Sequence, residues 1–161
     1  MEKYSNIPVS KLASEGPMRE QDILDSQDPK QIYFYAAEVK KGRWPEAEPI
    51  LLTHPYWAYV YANNILKSRW PEAEPMIIDC PQTAYKYARD VIKGRWPEAE
   101  DSLITTPSAA YRYFMEALKG QRFPKGEKVL KDHPVYWESY LDTLKESEQA
   151  VDLWKSEEGW E

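Results

Sequence analysis

The chain has 161 residues and a formal net charge of −6, and its 42% hydrophobic and 14% aromatic residues are enough for one packed domain, which excludes disorder of the body. No apolar run approaches the roughly eighteen residues of a membrane span, and the first ten residues carry Glu2, Lys3 and Pro8 where a secretory leader needs an unbroken apolar stretch, so a cytoplasmic protein is expected. The single cysteine, Cys80, excludes an intramolecular disulfide, and five acidic residues against one basic from Glu148 onward place most of the negative charge in the tail. The near-neutral body therefore has neither the basic surplus of a phosphate binder nor the acidic surplus of a nucleic-acid mimic.

Residues 1–16, with Ile7, Val9 and Leu12 as apolar anchors, read as an N-terminal cap or tail. Residues 17–147 read as one repeat domain. Its marker is Arg-Trp-Pro-Glu-Ala-Glu, which stands at 43–48, 69–74 and 95–100 with a period of 26, and a step of 27 from Pro97 reaches Pro124, where Phe123 replaces tryptophan. Ten residues beyond each of Pro45, Pro71, Pro97 and Pro124 stands a second proline, at Pro55, Pro81, Pro107 and Pro134, and Pro29 extends that series backward into a weaker first unit. A fixed period of this size is the mark of a solenoid, in which each unit covers the apolar face of its neighbour.

Proline suits the first turn of a helix, where its missing N–H would be unpaired anyway. Each unit is therefore expected to hold a short helix (45–52 in the second unit) and a longer one (55–67). The first turn of the short helix carries Glu46 and Glu48, favoured by the helix dipole. Lys-Gly or Lys-Ser pairs at 41–42, 67–68, 93–94 and 119–120 should end the long helices, with the glycine or serine accepting left-handed geometry. Beyond the last unit, residues 148–161 read as a capping helix containing Ala150, Val151, Leu153 and Trp154, followed by a frayed acidic end. The expected fold is all-α: a right-handed or near-planar αα-hairpin solenoid of about five units of 26 to 27 residues.

The tandem units GRWPEAEPILLTHPYWAYVYANNILKS and SRWPEAEPMIIDCPQTAYKYARDVIKG resemble a repeat of proteins encoded by bacteriophages and other large DNA viruses, over roughly residues 21–145. The resemblance implies a small phage-type helical repeat protein. By association it also implies a factor that binds and blocks host machinery, in an inhibitor or anti-defence role. No catalytic motif comes with it.

His54, Cys80 and His133 suggest metal ligands, but they share one repeat position with Asp28 and Thr106, directly before the second proline. That position reads as an N-cap, and side chains about one helix diameter apart cannot share an ion, so no metal and no cofactor is expected. The glutamate pairs Glu46/Glu48, Glu72/Glu74 and Glu98/Glu100 could be acid and base, yet a catalytic site is asymmetric and these recur. Dipole stabilisation, or pairing with Arg43, Arg69 or Arg95 of an adjacent unit, explains them better. The chain is expected not to be an enzyme.

Two tyrosine ladders follow the second prolines. The one at Tyr33, Tyr59, Tyr85 and Tyr111 shares its stripe with Ala62 and Leu66 and is expected in the core. The other, at Tyr35, Tyr61, Tyr87, Tyr113 and Tyr140, is expected to reach a groove with its hydroxyls exposed. Trp44, Trp70, Trp96 and Phe123 occupy a staple position before the short helix and read as structural wedges. Residues that break the repeat are the better candidates for function. These include Trp57, Asn63, Asn64, Arg112, Phe114, Met115, the segment 125–128, and Trp137, Trp154 and Trp160 at the acidic end.

These features predict a partner-binding protein that contacts another macromolecule, a protein first of all, through Tyr35, Tyr61, Tyr87, Tyr113, Tyr140, Trp57, Trp137, Trp154 and Trp160. A single-stranded nucleic acid held by a Lys/Arg stripe and tyrosine stacking is the alternative, and acidic mimicry by the tail is a third. No membrane partner is expected.

Overall fold

The computed structural model describes the backbone of residues 20–157 and the side chains of residues 20–146. The described residues are all-helical, without a strand. The helices are α1 (Glu20–Ser26), α2 (Pro29–Tyr35), α3 (Glu48–Leu51), α4 (Pro55–Tyr61), α5 (Glu74–Ile78), α6 (Pro81–Tyr87), α7 (Glu100–Leu103), α8 (Pro107–Arg112), α9 (Pro124–Leu130) and α10 (Pro134–Glu157). The expected N-terminal cap, residues 1–16, lies outside the described residues. In place of a separate capping helix after 148, the backbone of α10 runs unbroken from Pro134 to Glu157.

Even-numbered helices stack on one another in chain order, α1 packs on α2, and each later odd-numbered helix sits between the even helix before it and the one after it. This is an αα-hairpin repeat array. Leu51, Ile77, Leu103 and Leu130 hold one repeat position, and all four are fully buried. Three alanine ladders, Ala47/Ala73/Ala99, Ala58/Ala84/Ala110 and Ala36/Ala62/Ala88, are fully buried beside them and let the helices approach closely.

The short helix does not start as α-helix. Pro45–Ala47 and Pro97–Ala99 each form one 3₁₀ turn before α3 and α7 begin. The long helices end in a π turn, at Ala36–Lys40, Ala62–Leu66, Ala88–Ile92 and Tyr113–Ala117. The residue in the left-handed region after it is the lysine, with φ of 53° at Lys41, 53° at Lys67, 61° at Lys93 and 52° at Lys119. The expected left-handed glycine is thus corrected. Gly42 and Gly94 do not need their freedom, and a Cβ there would meet open space, which is why Ser68 serves equally. Among the described glycines Gly120 alone carries a positive φ, 78°, directly after Lys119, in the turn where the repeat step grows from 26 to 27.

The cap position is also simpler than its residues suggest. Asp28 accepts a hydrogen bond from the Lys30 amide at 2.9 Å, whereas His54, Cys80 and Thr106 make no side-chain cap bond. Their backbones are all extended, as the following proline requires. The backbone, not the side chain, is what the repeat keeps constant.

The degenerate last unit shows a coupled exchange. Where the three preceding units pair tryptophan with alanine, this one pairs Phe123 with Gly126, and a Cβ on Gly126 would lie 2.2 Å from Phe123 Cδ1. Phe123 is fully buried and has no free space to yield. Gly126→Ala should therefore cost about 1–2 kcal/mol despite alanine's better helix propensity. Adding Phe123→Trp should recover part of that loss in urea denaturation, a non-additivity that would be absent if the two positions were independent.

Candidate functional site

The residues expected at a groove form a joint instead. Tyr61, Tyr87, Tyr113 and Tyr140 are fully buried and Tyr35 is half-buried. Each buried hydroxyl accepts the backbone N–H of the residue that precedes its unit's first proline: Trp44 to Tyr61 at 2.6 Å, Trp70 to Tyr87 at 2.7 Å, Trp96 to Tyr113 at 2.7 Å and Phe123 to Tyr140 at 3.0 Å. The same hydroxyl donates to the glutamate three residues after that proline, 3.3 Å from Tyr61 to Glu48, 3.0 Å from Tyr87 to Glu74 and 3.0 Å from Tyr140 to Glu127. These glutamates in turn hold an arginine through both oxygens, as Arg43 on Glu48 at 2.7 and 3.0 Å and Arg69 on Glu74 at 2.8 and 2.7 Å. Arg95 lies 2.7 Å from Glu100, and Arg122 bonds Glu127 at 2.7 Å. The arginine pairs within its own unit, five residues from its partner, and not across to an adjacent one as expected.

The rings carry the link between units. Tyr35 packs on Trp44 at 5.0 Å between centroids, Tyr61 on Trp70 at 5.3 Å, Tyr87 on Trp96 at 5.1 Å and Tyr113 on Phe123 at 5.2 Å. One tyrosine thus clamps its own unit with the hydroxyl and its successor with the ring. The indole N–H groups of Trp44 and Trp96 are buried without an acceptor, so nothing polar is lost where Phe123 takes that place. The buried ladder cannot offer hydroxyls to a ligand.

The other ladder lies nearer the surface. Tyr33 and Tyr111 are half-buried, and Tyr59 and Tyr85 keep only a small exposed edge. Asn64 donates to the Tyr33 hydroxyl at 2.9 Å, and the Tyr59 hydroxyl donates to Asp90 at 2.6 Å. Burial first, then Asp90, pushes the Tyr59 phenol well above its usual range. Asp90 is held low first by the Arg89 guanidinium, which grips it at 2.6 and 2.7 Å and also pairs with Glu116.

Around this ladder the repeat breaks down into an aromatic and cationic strip across the long helices. Trp57 is half-buried between Tyr33, 5.5 Å away, and Phe34, 6.0 Å away, with Tyr56 at 5.2 Å on its outer side. Tyr56 is 42% exposed. Lys86 lies over Tyr56 at 5.5 Å and over Tyr85 at 5.9 Å, and Arg112 lies over Tyr85 at 5.9 Å. Tyr111 stacks on Tyr136 at 5.1 Å near the C-terminal end. Lys86 and Arg112 share one repeat position, held by Phe34 and Val60 in earlier units, and Tyr56 holds another; periodicity misses the three as one group because the residue type changes from unit to unit and they meet only when the helices stack.

Of the remaining predicted residues, Trp137 is half-buried, stacks on Tyr140 at 5.4 Å and carries Lys131 over its ring. Phe114 is buried against Tyr140, and Met115 is exposed. The side chain of Trp154 and the whole of Trp160 lie outside the described residues. Among the described residues no cluster of three or more His, Cys, Asp or Glu is placed to hold a metal ion, and no helix is long and apolar enough to cross a membrane. In comparison with known proteins, no family model, no curated protein and no solved structure matches the chain.

Proposed function

We propose that this chain is a non-catalytic binding scaffold whose partner is another protein, engaged by the strip of Phe34, Tyr56, Trp57, Lys86, Tyr85 and Arg112. The observation that carries the proposal is the composition of that strip. Tyrosine, tryptophan and arginine on rigid, partly desolvated positions are the residues that dominate protein interfaces, and here all of the strip but Tyr85, which belongs to the repeating ladder and shows only an edge, lies at positions where the units differ. The four arginines of the repeat, by contrast, are engaged by glutamates of their own units, which weakens any stripe able to track phosphates. The likeness to phage-encoded repeats suggests a host protein as the partner and an inhibitory or anti-defence role, in the cytoplasm of the host cell.

Affinity capture from host lysate, with and without nuclease, tests this reading. A captured protein should survive nuclease treatment and be lost with Tyr56→Ala/Arg112→Ala, two surface changes that should leave helicity intact. Interface residues of this type cost about 2 kcal/mol or more each when truncated. Capture that vanishes with nuclease, or that ignores both substitutions, would refute it.

A further inference from the structure

Successive π turns pack on one another, and between them the surface sinks into two grooves of about 440 and 430 Å³ that share Asn63, Asp90 and Lys93. Lys67 lines the first, and Lys119, Arg89 and Glu116 line the second. Together they make one trough across three units. Its two carboxylates are matched by two guanidiniums, since Arg89 pairs with Asp90 and Glu116 and Arg112 pairs with Glu116. Lys67, Lys93 and Lys119 are exposed and form no ion pair among the described residues. Three ammonium groups are left unbalanced, each on a side chain that leaves the same left-handed backbone position of its unit. Asn64 and Asp90 tie the trough to the aromatic strip through the hydroxyls of Tyr33 and Tyr59.

We propose that the trough takes an acidic segment of the protein partner in polyproline II conformation, with a carboxylate at every third residue facing Lys67, Lys93 and Lys119. This rests on the protein-binding reading above. Packed helices lie about 8–10 Å apart, so lysines that recur once per unit recur at about that interval. A polyproline II chain has three residues per turn and advances about 9 Å in that turn, which presents every third side chain on one face at the same interval. The intervening residues are neutral and pass Asp90 and Glu116 without repulsion. A nucleic-acid strand is charged at every nucleotide and has no neutral positions to place there. The adjoining aromatic strip suits proline rings, which dock on tyrosine and tryptophan in this conformation with little entropy left to lose.

The test is fluorescence anisotropy of a labelled peptide of repeating Glu-Pro-Pro against the full chain at low ionic strength. Saturable binding is expected, weakened about tenfold by Lys67→Asn/Lys93→Asn/Lys119→Asn, as three exposed ion pairs would give, and restored by arginine at the three positions. Asparagine accepts the left-handed backbone, so the fold is kept. A peptide of the same composition with its glutamates contiguous, and an oligothymidylate of equal length, should bind several-fold more weakly. Absence of saturable binding, indifference to the lysines, or tighter binding of the oligothymidylate would overturn the proposal. If lysate capture still depended on Tyr56 and Arg112 in that case, the trough alone would be refuted and the protein-binding reading would stand.

Discussion

Trp96→Ala should lower the free energy of unfolding by about 3–5 kcal/mol, the range for deleting a fully buried large aromatic. The indole is 1% exposed and fills the space between two units, with Tyr87 of the preceding unit on its face. Its loss opens a cavity at an internal joint, where both neighbours contribute walls. In a repeat array each unit is stabilised chiefly by its interfaces, so a broken central joint should also lower the cooperativity of unfolding. Urea denaturation followed by circular dichroism reads both effects, as a lower midpoint and a shallower slope. Trp96→Phe together with Ala99→Gly should be much milder, since Phe123 beside Gly126 already fills the corresponding place without a polar partner being lost, whereas Trp96→Phe with Ala99 kept should retain the crowding expected of Gly126→Ala. An alanine variant as stable as the parent would mean that the tryptophans are not the joint.

A second large effect is expected at high pH. Burial pushes the phenols of Tyr61 and Tyr113 up to about 12, and it raises those of Tyr87 and Tyr140 as well, because the hydroxyl sits inside the joint beside a glutamate. In the unfolded chain these groups ionise near pH 10. A folded value above the unfolded one means that the contribution is complete below about pH 10 and is lost as pH rises toward 12, because the unfolded state gives up its protons first. Helicity should therefore collapse over that window, with the tyrosinate absorbance of the ladder rising in step. At the acid end the sign is reversed. Glu74, Glu127 and Asp90 are held low, first by Arg69, Arg122 and Arg89 respectively, so their contribution is present above about pH 4 and is lost as pH falls below it. That loss should be the smaller one, because the arginines are largely solvent-facing and screened. Tyrosinate from the ladder appearing while helicity is intact would contradict the buried joint.

The all-α repeat, its period and the proline helix starts were legible because each is written as a spacing. Three features were not. The two tyrosine ladders stand two residues apart on one helix, and periodicity assigns both to broad apolar faces, so only the fold shows that Tyr61 and its equivalents turn inward to meet a backbone N–H seventeen residues earlier. The left-handed position falls on lysine because the π turn lengthens the helix end by a residue, a shift that propensity does not encode. Finally, Tyr56, Lys86 and Arg112 come from three different units, and their adjacency follows from the stacking of the even-numbered helices. The hexapeptide itself is accounted for by the joint: arginine grips glutamate, glutamate accepts the tyrosine hydroxyl, and that hydroxyl accepts the tryptophan amide. What remains for recognition is the surface on which the units disagree.

Hydrogen exchange at the backbone amides of Trp44, Trp70, Trp96 and Phe123 tests this joint most directly. These amides lie outside the helices, in segments that would exchange quickly if they were ordinary turns. Each is instead expected to exchange at the slow rate of the buried helix amides, and Tyr87→Phe should release the Trp70 amide selectively. Rapid exchange at all four positions in the parent protein would contradict a hexapeptide that acts as the joint between units.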